Sequence, residues 1–256
     1  MAVVNTSCCT RTPVGTNQTI PVQKIAGIDV YATGNTSAKR GVVLVYDIFG
    51  FYPQTLLGAD RLAQHLNALT LVPDLFEGTQ ADRNWLPPNT PEKKEALGKF
   101  FAEVAAPPKN VEKLLKVVAE SKAKYPSVEK WAVLGLCWGG KLSALVSAQG
   151  THFAVSGQAH PALLDTNDAR NITIPHIILA SPDEPKEQIA EYKAILEAKA
   201  GIGSEVETYD TMFHGWMGAR ANLDDEKNKK EFERGYKQVA AFFEKYLSPT
   251  KINSSL

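Results

Sequence analysis

Cys137 is framed by glycines two residues away on each side, in Gly135-Leu136-Cys137-Trp138-Gly139-Gly140. That spacing suits a nucleophile on a sharp strand-to-helix turn, where a side chain two positions away would collide with the neighbouring backbone. A thiol raised on such a turn has a helix N-terminus behind it, which favours the thiolate and any oxyanion formed beside it. Most free cysteines are merely small buried hydrophobes, so the reading depends on partners elsewhere in the chain.

A thiol nucleophile needs a base, and five histidines are available: His65, His152, His160, His176 and His214. His214 lies in Asp210-Thr211-Met212-Phe213-His214-Gly215-Trp216, after the last expected strand and before the C-terminal helix. From there a loop can carry an imidazole back over the turn. His65 falls in a helical stripe and His176 in a strand, so both read as structural, while His160 stays a candidate for the pocket. The acid that orients the base should sit at a strand end between nucleophile and histidine. Asp183, in Ser181-Pro182-Asp183-Glu184-Pro185, meets both conditions; Asp210 and Glu184 are its rivals. The turn Tyr46-Asp47-Ile48-Phe49-Gly50 follows another buried run. It is placed to give the Ile48 amide to an oxyanion hole completed by the amide of Trp138. Asp47 either stands by the thiol, where its charge would hold a proton on sulfur, or caps the turn.

Short apolar runs alternating with helical stripes must position these groups. Gly41–Tyr46, Leu71–Pro73, Trp131–Leu136, Ile174–Ala180 and Glu205–Tyr209 read as strands. Leucines and valines at helical spacing around residues 62–69, 111–118 and 142–146, the segment 188–198, and Phe232, Tyr236, Val239, Phe243 and Tyr246 read as helices. Such alternation gives an α/β fold with a mostly parallel central sheet and helices on both faces. Residues 1–22 form an arm, residues 23–256 a single domain, and the proline-rich stretch 86–91 a long connection over the sheet.

Twenty-eight lysines and arginines balance 28 aspartates and glutamates, so no net field draws the chain to nucleic acid or an anionic membrane. A small, weakly charged partner fits better, and a homodimer is compatible with that reading. Three cysteines, Cys8, Cys9 and Cys137, imply no disulfide framework and point to a reducing compartment. The N-terminus has no signal-like apolar run, so the five Asn-x-Ser/Thr sites are read as chance. The expected location is the cytoplasm; Ser254-Ser255-Leu256 only partly matches the peroxisomal Ser-Lys-Leu address.

Taken together, Asp47-Ile48-Phe49-Gly50, Val72-Pro73-Asp74-Leu75-Phe76, the Cys137 turn, Ala159-His160-Pro161, Asp183 and Phe213-His214-Gly215-Trp216 resemble the dienelactone hydrolase (carboxymethylenebutenolidase) family, especially its eukaryotic, fungal-like branch. The resemblance implies an α/β-hydrolase fold and a Cys137-His214-Asp183 triad that hydrolyses lactones or enol esters through an acyl-thioester. It implies no metal and no cofactor. Bacterial members carry glutamate in place of Asp47 and hold a substrate carboxylate with arginines, for which Arg220 and Arg83 are the nearest candidates. Phe49, Trp138 and Trp216 suggest a pocket for a larger, flatter ester. Acyl transfer or lactone formation in a biosynthetic route, and ligand binding without turnover, are the rival functions.

Overall fold

A computed structural model describes residues 12–14 and 20–248. Cys8, Cys9 and the C-terminal tripeptide lie outside the described residues, as does most of the expected arm. One eight-stranded sheet organises the rest. Its strands are β1 (Gln23–Ile25), β2 (Ile28–Gly34), β3 (Arg40–Val45), β4 (Leu69–Pro73), β5 (Lys130–Leu136), β6 (Val155–Ala159), β7 (His176–Ala180) and β8 (Ser204–Thr208). They lie side by side in the order β1-β2-β4-β3-β5-β6-β7-β8. Pairing is antiparallel for β1 with β2 and β2 with β4, and parallel from β4 through β8.

The central strands are buried along almost their whole length, as a sheet covered on both faces requires. That is why β3 and β5 read as unbroken apolar runs. β2 instead alternates, with Ile28 and Val30 buried and Asp29 and Tyr31 partly exposed. This period-two signal belongs to an antiparallel strand near a sheet edge, and the β1–β2 hairpin was not among the expected elements.

The helices are α1 (Pro53–Leu66), α2 (Pro91–Glu103), α3 (Pro107–Lys124), α4 (Trp138–Leu145), α5 (Thr166–Asn171), α6 (Lys186–Glu197) and α7 (Glu226–Leu247). Proline opens the first turns of α1, α2 and α3, where its missing N–H costs nothing. The proline-rich connection therefore ends as the start of α2 rather than continuing as loop. Asp225 caps α7 by accepting from the amides of Lys227 and Asn228 at 2.8 and 3.0 Å.

α7 buries Phe232, Tyr236, Val239 and Phe243, and it packs on α1 where Gly58 leaves room for the Tyr236 ring. A Cβ at Gly58 would lie 2.0 Å from the Tyr236 Oη. That hydroxyl donates to the Met217 carbonyl at 2.8 Å, tying α7 to the loop that carries His214. Gly58→Ala should therefore cost about 1–3 kcal/mol of stability through overpacking. Gly98→Ala, on the exposed face of α2 with no atom near its Cβ, should gain about 0.5–1 kcal/mol from helix propensity. Urea unfolding of the two variants measures both.

Candidate active site

Three backbones meet at the turn after β5 more closely than any side chain allows. A Cβ at Gly135 would lie 2.0 Å from the Gly139 carbonyl oxygen, and one at Gly139 would lie 2.3 Å from that of Val45. α4 can thus start hard against both β5 and β3 only because both positions are glycine. Between them Cys137 takes φ 53° and ψ −112°, a strained conformation for a side-chain-bearing residue, and stands as the residue before α4. Its amide donates to the Ala159 carbonyl at 3.0 Å, and its carbonyl accepts from Gly140 and Ala162, both at 3.0 Å. Trp138 opens α4, so its amide has no acceptor within the helix. Its indole is buried against Phe76, with Nε1 donating to the Ala105 carbonyl at 2.8 Å.

His214 arrives on the loop after β8 and is buried. Its Nδ1 lies 2.6 Å from Glu184 Oε1, and both side chains are almost wholly enclosed. Since an ionised carboxylate can only accept, Nδ1 carries the hydrogen and Nε2 becomes the basic nitrogen. This corrects the expectation for Asp183, whose side chain is not the one on the ring. Asp183 is exposed, and its Oδ2 accepts from the His214 backbone amide at 2.8 Å. The cause is the tight turn 181–184, closed by the Glu184 amide on the Ser181 carbonyl at 3.3 Å. Adjacent side chains there diverge, and the longer Glu184 reaches inward, where it also accepts from the Ser181 amide. Asp210, the other rival, is exposed.

His160 follows β6 with φ 38° and is fully buried. Its ring centroid is 5.3 Å from that of His214, at an interplanar angle of 70°. Sequence reasoning kept it as a pocket candidate without a role.

Asp47 is buried and acts as a bracket. Oδ1 accepts from the Phe49 amide and Oδ2 from the Ala219 amide, each at 2.9 Å. It caps the turn that presents Ile48 and fastens that turn to the His214 loop. Gly218 makes the approach possible, because a Cβ there would lie 2.6 Å from Oδ2. Phe49 is buried with the Arg220 guanidinium 4.8 Å over its ring, so these two expected binding residues pack together. Arg220, Phe213, Pro87, Thr12 and Val14 help line a cleft of about 540 Å³, whose wall includes none of Cys137, Glu184 and His214. Trp216, also expected in the pocket, stacks on Tyr209 with centroids 4.4 Å apart and packs over Gly235 of α7. Its indole therefore belongs to the core. Arg83 donates to the Pro13 carbonyl at 3.2 Å, and the Val14 amide donates to the Ala219 carbonyl at 2.9 Å. A short strap of the arm thus lies against the site. Among the described residues, no group of three or more His, Cys, Asp or Glu side chains is arranged to hold a metal ion.

The dienelactone hydrolase family model matches residues 28–247, and the chain belongs to that family. An uncharacterised AIM2 family protein of Schizosaccharomyces pombe is 36% identical over 223 residues, covering 87% of this chain and 89% of that protein. A carboxymethylenebutenolidase homologue of Xenopus tropicalis is 25% identical over 218 residues, covering 84% and 85%. Among solved structures, a dienelactone hydrolase of Anabaena variabilis superposes with a TM-score of 0.60 at 12% identity, over 93% of this chain and 100% of that one. The family and the α/β-hydrolase fold make this chain an ester or lactone hydrolase.

Beneath the site, His176 is buried between Ser156 Oγ at 2.7 Å and Gln158 Nε2 at 2.9 Å. Burial, aided by the Lys199 charge, lowers its pKa from 6.5 to about 3. The unfolded chain protonates this ring below pH 6.5 while the folded chain does not, so its contribution is present above 6.5 and falls away toward pH 3. Urea midpoints between pH 7.5 and 5 should show wild type losing more stability than His176→Leu. The difference in slope should be up to about 1.4 kcal/mol per pH unit below 6.5.

Proposed function

We propose that the protein cleaves lactones and enol esters through an acyl-thioester on Cys137, with His214 as base and Glu184 as the group that orients it. The observation that carries this reading is a cysteine held in a strained turn together with a buried imidazole–carboxylate pair 2.6 Å apart. His214 Nε2 takes the thiol proton and the thiolate attacks the carbonyl carbon. Negative charge collects on oxygen facing the amides of Ile48 and Trp138. Collapse expels the alcohol or enol, which takes the proton from His214. Water then adds to the thioester with His214 as base, and collapse returns the carboxylic acid and the thiol.

A thiolate is a better leaving group than an alkoxide, so the tetrahedral adduct of a simple alkyl ester reverts, whereas an enolate departs readily. The reactant is thus a small lactone or ester with a stabilised leaving group, met in the cytoplasm. No part of the scheme calls for a cofactor.

Intact-mass spectrometry after mixing with an enol-lactone should show an acyl adduct on Cys137, absent in Cys137→Ala. Glu184→Gln should lower kcat by about 10²–10⁴, the range typical of a lost or misoriented general base. Asp183→Asn keeps an acceptor for the His214 amide and should cost less than about tenfold. Equal losses in the two carboxylate variants, or an adduct that survives Cys137→Ala, would overturn the assignment.

A further inference from the structure

The geometry points to His160 as a positioning residue for His214, supporting the ring that Glu184 holds at Nδ1. This rests on the chemistry proposed above and adds a residue to it.

The sheet order sets the problem. Cys137 follows β5, His160 follows β6, Glu184 follows β7 and His214 follows β8, and these four strands are consecutive neighbours. Adjacent strands lie about 4.8 Å apart, so a base delivered from β8 must span about 14 Å to reach a nucleophile on β5. It crosses the ends of β7 and β6 on the way. Glu184 meets the ring over β7, at Nδ1. Over β6 the neighbouring side chain is His160, edge to face with His214 at 5.3 Å.

The backbone tolerates a histidine there without selecting one. At φ 38° an asparagine or glycine fits as well or better. The segment is nonetheless fixed tightly: the His160 amide donates to the Leu179 carbonyl at 2.7 Å, the Ala159 carbonyl accepts from the Cys137 amide, and the Ala162 amide donates to the Cys137 carbonyl. His160 is therefore held at a constant height relative to the nucleophile, with its ring against the base. An aromatic face or edge at this separation fixes the plane of its neighbour. When His214 takes the Cys137 proton it becomes a cation, and the face of a π system beside it is favourable in the same sense as the Glu184 carboxylate. His160 gives and takes no proton in this role.

Two variants separate ring support from packing. His160→Phe keeps a planar π system, and His160→Asn suits the left-handed backbone but removes the ring. Three readouts apply: kcat and KM on p-nitrophenyl acetate, the iodoacetamide alkylation rate of the Cys137 peptide at pH 7.5 by mass spectrometry, and the unfolding temperature. The peptide readout distinguishes Cys137 from Cys8 and Cys9.

His160→Phe should stay within about threefold of wild type, while His160→Asn should lose about tenfold in kcat and in alkylation rate with KM within about twofold. Its unfolding temperature should not fall in proportion. An Asn variant as active as wild type, equal losses in Phe and Asn, or a rise in KM at unchanged kcat would overturn the inference. Should wild type cleave no ester while the Asn variant still slows alkylation, the hydrolytic reading fails and the positioning role stands. Should the ester be cleaved and alkylation be equal in all three, only the positioning role fails.

Discussion

The closest backbone contact in the site governs the rest: β5, α4 and β3 approach one another through Gly135 and Gly139 to distances at which a Cβ cannot exist. Sliding α4 outward by the width of a methyl group would relieve the contact. It would also let Cys137 relax from φ 53° and withdraw the first amide of the helix from its place beside β3 and β5. Strain at Cys137 is held because the contacts that impose it belong to the buried centre of the sheet, where β3 and β5 pair along their length.

A second constraint joins parts of the site far apart in sequence. Asp47 accepts one amide from its own turn and one from the His214 loop, 172 residues away. A buried carboxylate with two amide donors is well satisfied, and removing it would leave both amides without their acceptor. The Val14 amide extends this bracket by donating to the carbonyl of the same Ala219. Gln54 donates to the carbonyls of Val14 and Ala221, at 2.9 and 3.1 Å, and closes it. Turn, His214 loop and strap are therefore tied together by hydrogen bonds.

The strained turn at Cys137 was legible in the sequence because its requirement is steric and local: only glycine satisfies positions 135 and 139, and glycines can be read directly. The placement of His214 on the loop after the last strand was legible because chain order restricts the choice. Which carboxylate meets the His214 ring was not, since the difference between Asp183 and Glu184 is the direction in which two adjacent residues leave a four-residue turn, and that direction follows from tertiary contacts. Trp216 failed for a related reason. Its neighbourhood to His214 in sequence suggested the pocket, while the space above Gly235, 19 positions later, admits its ring to the core. β1 and β2 were missed because the apolar-run criterion favours the doubly covered strands at the centre of the sheet and discounts alternation at its edge.

The divergence of Asp183 and Glu184 lets one loop do two jobs. An imidazole is placed by its backbone, which sets where the ring hangs, and by its Nδ1 contact, which sets which nitrogen is basic and how the plane is turned. Asp183 does the first through the His214 amide and Glu184 does the second through the ring. Because the two carboxylates leave the turn in different directions, one stays exposed while the other is enclosed with the imidazole, and only the enclosed one acts in a low-dielectric environment. Exchanging their side-chain lengths would not exchange their roles, since the shorter chain at 184 would fall about 1.5 Å short of the ring. The extra methylene of Glu184 is what lets the fourth position of the turn, rather than the third, bring its carboxylate to the His214 ring.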